Sequence, residues 1–175
     1  MDKNFIRIRH YSAPCGGLLL GACGGSLCLC DWTDAPHHTA ILRRATRELR
    51  AVLKEESAAD TPHATLDMAA HQLDEYFQGA RSTFSVPLRA VGTPFQQAVW
   101  RSMTRVPYGR TLPYSALARA IGSPNAVRAV AAAVGANGLS IFLPCHRIIG
   151  AGGALTGYAG GLTAKRFLLE LETER

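Results

Sequence analysis

The segment YSALARAIGSPNAVRAVAAAV, residues 114–134, decides the fold of the second half of this 175-residue chain. Its Ala- and Leu-rich ends predict two short helices over residues 114–120 and 126–134. The IGSPN between them predicts a tight turn. Two short helices joined in this way have the composition of a helix-turn-helix, although any antiparallel helix pair shares that composition.

The second predicted helix combines small side chains with a single long basic one. Arg128 shares its outer face with Asn125, Ala132 and Gly135. A helix that reads the major groove of DNA usually carries several long polar side chains, and this one does not. The face therefore fits close approach to a narrow groove that is recognised by shape. It fits equally well a helix packed on another helix with Arg128 at its rim, and the spacing leaves both interpretations open.

Strand and helix patterns before and after this segment divide the chain in two. Short apolar runs between Gly-rich turns predict strands over residues 5–9, 18–23 and 27–32. Helical spacing predicts helices over residues 39–56 and 66–78. Farther on, Thr93 is a candidate N-cap before Pro94, LSIFL (139–143) reads as an apolar strand, and residues 163–172 read as a last helix. We therefore expect an α+β (α/β) protein with domains at residues 1–88 and 89–175.

Charge is distributed unevenly between these two parts. Residues 1–88 carry 9 Lys and Arg against 10 Asp and Glu, whereas residues 89–175 carry 10 against 3. No carboxylate occurs between Arg89 and Leu169. Such a one-sided positive stretch favours a phosphate backbone as partner, with a solubilising basic surface as the alternative.

Apolar runs and cysteine usage limit the compartment. No apolar run approaches the roughly 20 residues of a membrane helix, and MDKNFIRIRH does not resemble a secretory signal. The cysteine count of five is odd, which disfavours a secreted disulfide framework. We expect a cytoplasmic protein with reduced thiols and no membrane association.

The chemistry-bearing motif is PCHR, residues 144–147. A thiol attacks only as the thiolate, so Cys145 needs a base nearby. His146 is adjacent, but neighbours on an extended chain point to opposite sides, so contact requires a turn or a bridging water. A third group that orients the imidazole must come from Glu170, Glu172 or Glu174, the only acids of this half. A buried, inert Cys145 is the alternative that the motif alone leaves open.

The four N-terminal cysteines give no clear metal signature. Cys28 and Cys30 alternate as one face of a strand, which indicates a structural role. A zinc site formed by Cys23, Cys28, Cys30 and His37 or His38 is conceivable, but the paired CxxC spacing is missing. We expect no metal and no cofactor.

The motif PCHRII resembles the active-site PCHRV of the O6-alkylguanine-DNA alkyltransferases, the methylated-DNA–protein-cysteine methyltransferases of bacteria. The likeness also includes GTPFQQAVW, VPYGRTLPYSALARAIGSPNAVRAV, IFLPCHRIIG and GALTGYAGGLTAKRFLLELE, and so covers residues 92–172. LDEYFQGARSTFSVPL (73–88) is similar to the end of the family's N-terminal domain. The resemblance implies a ribonuclease H-like N-terminal domain and a winged-helix-like domain that carries PCHR.

The resemblance also implies the roles of individual residues. Cys145 is the implied alkyl acceptor, His146 its base through a water, and Glu172 the group that orients His146. Tyr114 is the implied proton donor to guanine, and Asn137 braces the segment before the strand. Arg128 is the implied occupant of the space left by a flipped nucleotide. Implied DNA contacts are Tyr114, Ser115, Ala126, Arg128, Ala129 and Arg147, and implied pocket residues are Met103, Ile148, Tyr158, Ala159 and Lys165.

The implied activity is a single-turnover repair reaction. An alkyl group passes from O6-alkylguanine, and from O4-alkylthymine, in double-stranded DNA to the cysteine of a monomeric protein. Alkyl transfer leaves a thioether, which has no polarised carbonyl for water to attack, so the thiol is consumed. Ser140 and Thr156 depart from some relatives, and we expect both to affect pocket size. A helix-turn-helix protein that binds without reacting, and a cysteine hydrolase, are the competing hypotheses.

Overall fold

A computed structural model of the chain describes residues 4–57 and 63–173. The first half is a four-stranded sheet with two helices, and the second half is mostly helical. The sheet half contains β1 (Asn4–Ala13), β2 (Gly16–Cys23), β3 (Ser26–Trp32), α1 (His38–Leu49), β4 (Ala51–Glu55) and α2 (Ala64–Phe77). The helical half contains α3 (Pro94–Met103), β5 (Leu112–Pro113), α4 (Tyr114–Ala120), α5 (Val127–Gly135), β6 (Ile148–Ile149) and α6 (Gly161–Thr173). This mixed architecture confirms the predicted fold class.

The sheet contains one strand that the sequence did not reveal. Its strand order is β3-β2-β1-β4, with β1–β3 antiparallel and β4 parallel to β1. The helix predicted over residues 39–56 was therefore wrong at its end. It stops at Leu49, because Arg50 adopts the left-handed conformation with φ 47°. The free edge of β1 then provides hydrogen-bond partners that override the helical propensity of residues 51–55.

The apolar segment 139–143 was predicted as a strand and is a tight turn instead. Ile141 has a φ of 73°, and Ser140 and Leu143 are bridge partners across the turn. Its side chains are apolar because the turn is buried, and a short apolar run does not distinguish a buried strand from other buried backbone. The 3-10 turn Cys145–Arg147 follows directly.

Two polar contacts fix α3 within the helical half. Thr93 is the N-cap as predicted, and it forms a capping box with Gln96. The indole Nε1 of Trp100 donates to the carbonyl of Ala133 on α5 at 2.8 Å. The two predicted helices of the helix-turn-helix, α4 and α5, pack beside α3.

The hydrophobic core is continuous across the two halves. It includes Leu20 of β2, Tyr76 of α2, Leu117 of α4, Val130 of α5 and Leu168 of α6, none of them accessible to solvent. β3 also hydrogen-bonds to the second half, through Cys30. Within residues 4–57 and 63–173, no helix is long and apolar enough to cross a membrane.

Candidate active site

The Cys145 thiol lies at a cavity of about 540 Å³ beside α5. Cys145 opens the 3-10 turn after Pro144 and is only 5% exposed. The cavity is walled by α5, by the start of α4 and by the loop 156–159. The first half of the chain adds Pro36 and His37 to this wall, a contribution that no sequence pattern indicated.

Asn137 holds the sulfur of Cys145 from the protein side. Its Nδ2 donates to Sγ at 3.2 Å and to the carbonyl of Leu143 at 3.0 Å. Its Oδ1 accepts from the backbone N–H of Leu139 at 2.9 Å, so the amide orientation is fixed. Burial raises the pKa of the Cys145 thiol, and the Asn137 hydrogen bond and the charge of Lys165 only partly offset this. The thiol is thus protonated at rest and needs a base during reaction.

His146, the residue after Cys145, forms a buried pair with Glu172 of α6. His146 Nε2 lies 2.7 Å from Oε1 of Glu172, and both side chains are inaccessible to solvent. Burial lowers the pKa of His146 despite the opposing effect of Glu172. The imidazole is therefore neutral, and it must carry its hydrogen on Nε2 because an ionised carboxylate only accepts. This leaves Nδ1 as a buried acceptor, with no hydrogen-bond partner among the described residues.

Glu172 is the centre of a buried hydrogen-bond network. Arg147 donates Nε to Oε2 at 2.8 Å and Nη2 to Oε1 at 3.0 Å. The hydroxyl of Tyr76 donates to Oε1 at 2.8 Å, and the backbone N–H of Gly109 donates to Oε2 at 3.1 Å. Burial alone raises the pKa of Glu172, but the hydrogen bonds from His146 and Arg147 outweigh it and lower that pKa to about 2. Glu172 is a carboxylate throughout the physiological pH range.

Arg147 corrects one of the sequence predictions. It was expected to contact DNA, but it is 6% exposed and its Nη1 also donates to the carbonyl of Val106 at 2.7 Å. A buried carboxylate requires a counter-ion, and the planar guanidinium meets both oxygens of Glu172 at once. Arg147 therefore belongs to the Glu172 network and not to an exposed surface.

Lys165 fastens the loop that closes one side of the cavity. Its fully buried Nζ donates to the carbonyls of Ile148 at 2.6 Å, Thr156 at 3.1 Å and Gly157 at 3.4 Å. Tyr158 and Ala159, which follow in this loop and were expected in the substrate pocket, line the cavity. Lys165 thus acts on the cavity through the loop backbone.

Some predicted pocket residues lie elsewhere. Met103 was expected in the pocket, but it lies on α3 in the fully buried core and does not line the cavity. Ile148 was also expected in the pocket and does not line the cavity: its side chain is fully buried, and its carbonyl accepts a hydrogen bond from Lys165. Of the two departures noted in the sequence, Thr156 lines the cavity, whereas Ser140 is fully buried outside its lining.

The outer face of α5 is open. Arg128 and Ala129 are exposed there, together with Ala132 and Gly135. Arg128 also lines the cavity that contains Cys145. The inner face of α5 packs on α3 and α4, whereas no helix among the described residues covers the outer face that carries Arg128.

The remaining residues predicted to contact DNA lie near this face. Tyr114 lines the cavity, while Ser115 in the first turn of α4 and Ala126 at the N-cap of α5 are half-buried.

The described cysteines and histidines of the first half do not form a metal site. Within residues 4–57 and 63–173, no group of three or more His, Cys, Asp or Glu side chains is placed to hold a metal ion. Cys23 and Cys28 are packed in a small core cluster, and His38 Nδ1 lies 2.6 Å from Oδ2 of Asp31.

Both halves of the chain match known protein families and relatives. Residues 6–90 match the family model of the 6-O-methylguanine DNA methyltransferase ribonuclease-like domain, and residues 94–174 match that of the DNA-binding domain. The constitutive methylated-DNA–protein-cysteine methyltransferase of Bacillus subtilis is 53% identical over 121 residues, which is 67% of this chain and 73% of the relative. The methylated-DNA–protein-cysteine methyltransferase of Haemophilus influenzae is 52% identical over 164 residues, 93% of this chain and 84% of the relative.

A solved structure agrees with these sequence matches. The Mycobacterium tuberculosis OGT in complex with DNA superposes with a TM-score of 0.81 at 37% identity, and the match covers 97% of this chain and 94% of that one. Both halves, the relatives and the superposition lead to the same conclusion: the chain belongs to the family of 6-O-methylguanine-DNA methyltransferases, the methylated-DNA–protein-cysteine methyltransferases.

Proposed function

We propose that this protein repairs alkylated DNA directly, by moving the alkyl group from O6 of guanine in a duplex to Sγ of Cys145. The observation that carries the proposal is that one cavity is lined both by Cys145 and by the exposed Arg128. The helix between them presents small, exposed side chains. A nucleophile and a DNA-approaching surface therefore share a single site.

The substrate base reaches the thiol only after leaving the stack. The reacting carbon is inaccessible inside a duplex, and extrusion costs a few kcal/mol. The small side chains of α5, Ala129 and Ala132 among them, permit its backbone to approach the minor groove, where Arg128 takes the place of the extruded nucleotide. Tyr114, Ser115 and Ala126 lie beside the path of the strand, and the loop with Tyr158 and Ala159 closes over the base.

Proton transfer follows from the neutral imidazole. Nδ1 of His146 takes the thiol proton of Cys145 through a bridging water, while Nε2–H stays bonded to Glu172. The carboxylate stabilises the imidazolium that forms. The thiolate then attacks the alkyl carbon, so that the S–C bond forms as the C–O6 bond breaks.

Tyr114 completes the reaction on the guanine side. Burial is the main cause that raises the pKa of its hydroxyl, which therefore stays protonated and serves as a donor. Its proton neutralises the guanine as the alkyl group leaves. The product thioether resists hydrolysis, so each molecule reacts once. The proposed reaction needs no cofactor.

We also propose the wider setting of this reaction. O4-alkylthymine is a second substrate, and the protein acts as a monomer in the cytoplasm. All five cysteines are free thiols, which suits a reducing compartment. The division at residues 88 and 89 separates a supporting domain from the domain that binds DNA and accepts the alkyl group.

The test follows the label of a duplex that carries O6-methylguanine with a radioactive methyl group. The proposal predicts label on the protein, and none on a Cys145→Ala variant. If the protein binds the duplex tightly but the label stays on the DNA, the result supports a non-reacting helix-turn-helix protein. If the protein neither binds the duplex nor takes up the label, the result supports a hydrolase. Either result overturns the proposal.

A further inference from the structure

A side chain from the first half of the molecule is bonded to the end of α5. Arg44 lies on α1, is half-buried, and donates from Nη2 to the carbonyl oxygen of Ala136 at 2.6 Å. Ala136 is the C-cap of α5, and the last carbonyls of a helix have no partner within it. A cation is also favoured at this negative end of the helix. Arg44 thus satisfies and fixes the C-terminal end of the DNA-facing helix.

A stacking contact and a buried negative charge also act on the guanidinium of Arg44. It lies over the ring of Trp100, 5.6 Å from the centroid, and Trp100 is itself bonded to α5. Burial lowers the pKa of Arg44, and the negative charge of the Asp31 carboxylate opposes this only in part. Planar stacking and a directed hydrogen bond together suit arginine better than lysine.

The carbonyl that Arg44 holds belongs to the peptide group between Ala136 and Asn137. Asn137 donates to Sγ of Cys145, so its backbone orientation sets the direction of that hydrogen bond. The next residue is also held from the first half, because Cys30 N–H donates to the carbonyl of Gly138 at 2.8 Å. A Cβ on Gly138 would come within 2.9 Å of Ile41, so α1 packs directly on this segment.

We propose that Arg44 is a positioning residue for alkyl transfer: by holding the Ala136 carbonyl, it directs the Asn137 amide at the sulfur of Cys145. The inference rests on the proposed role of Cys145 as acceptor. It assigns to the first half of the chain a part in the reaction itself. The alternative is that Arg44 only pins the two halves together.

The test compares Arg44→Met with Arg43→Met. Arg43 is the preceding residue of α1 and is exposed, so its variant removes the same charge from the same helix. At saturating methylated duplex, Arg44→Met should slow methyl transfer about tenfold, since a hydrogen bond to a charged group contributes more than 1 kcal/mol. Arg44→Lys should fall between, and Arg43→Met should stay within about twofold of the unmodified protein.

A second readout needs no DNA and separates positioning from stability. The rate at which iodoacetamide modifies Cys145, followed by peptide mass, is measured against pH. Loss of a hydrogen bond that favours the thiolate should move the midpoint of this profile up by about one pH unit in Arg44→Met. If Arg44→Met does not fold, Arg44→Lys carries the test, with a smaller upward shift expected.

Three outcomes distinguish a positioning role of Arg44 from a purely structural one, and both from failure of the proposed function. An upward shift with slower transfer supports the positioning role. An unchanged profile and transfer rate in a folded Arg44 variant, even one that unfolds more easily, overturns it. An unmodified protein that takes no methyl group from DNA overturns the proposed function, while the iodoacetamide profile still judges Arg44 alone.

Discussion

Replacing Tyr76 by phenylalanine removes one hydroxyl from the buried network around Glu172 and leaves the aromatic ring in place. The hydroxyl donates to Oε1 of Glu172 at 2.8 Å, and Tyr76 is inaccessible to solvent. After the substitution Oε1 still accepts from His146 and Arg147, so no buried acceptor loses all its partners. The expected cost is that of one hydrogen bond to a charged group, about 2 kcal/mol of unfolding free energy. For a chain of this size it lowers Tm by about 4 to 8 °C.

The matched control is Tyr11→Phe. Tyr11 also donates to a carboxylate, Oδ1 of Asp74 at 2.7 Å, but this pair is exposed and water replaces the lost partner. Its expected cost is below about 1 kcal/mol. Urea unfolding at pH 7, followed by circular dichroism, gives both values from the midpoints at a common slope. Equal losses in the two variants, or no loss in Tyr76→Phe, would refute the claim that burial makes the Glu172 network strong.

Three further predictions concern the reaction. Burial lowers the pKa of His146, and a base must be unprotonated. The rate of single-turnover transfer should therefore stay constant between pH 8 and pH 7 and decline only below about pH 6.5. A decline that begins at pH 7.5 contradicts this. Arg128→Ala should slow transfer from a methylated duplex at least about tenfold, since extrusion costs a few kcal/mol, whereas Arg119→Ala, at an exposed position of α4, should not. Equal effects in a rate assay would exclude a special role for Arg128. Lys165→Met removes three hydrogen bonds from Nζ to backbone carbonyls. The backbone amides of residues 156–158 should then exchange hydrogen faster, as measured by mass spectrometry. Unchanged exchange would show that other contacts hold the loop.

Local sequence signals predicted most of the helices and strands, and they failed where tertiary contacts determine the local structure. The N-cap at Thr93 and the two short helices α4 and α5 with the turn between them are encoded within a few residues, and these were predicted. The strand β4 was missed because its residues suit a helix until the edge of β1 pairs with them. The turn at Ile141 was missed because burial, and not strand pairing, explains its apolar composition.

The site shows the same division between local and long-range information. Cys145 and His146 are adjacent, so their motif is visible in the sequence. The residues alone left three glutamates as candidates to orient His146, and only the packing of α6 places Glu172 there. Arg147 was assigned to DNA because nothing in PCHR reveals the carboxylate that it meets 25 residues later. Tyr76 lies 96 residues from Glu172, and it reads as an ordinary apolar position of a helix.

The most direct measurement of the central claim is the intact mass of the protein after incubation with an excess of duplex that contains O6-methylguanine. We predict one added methyl group per molecule, mapped to Cys145, and an end point at which repaired DNA equals the protein consumed. Repair of several duplexes per protein molecule, or a methyl group found on another residue, would contradict it.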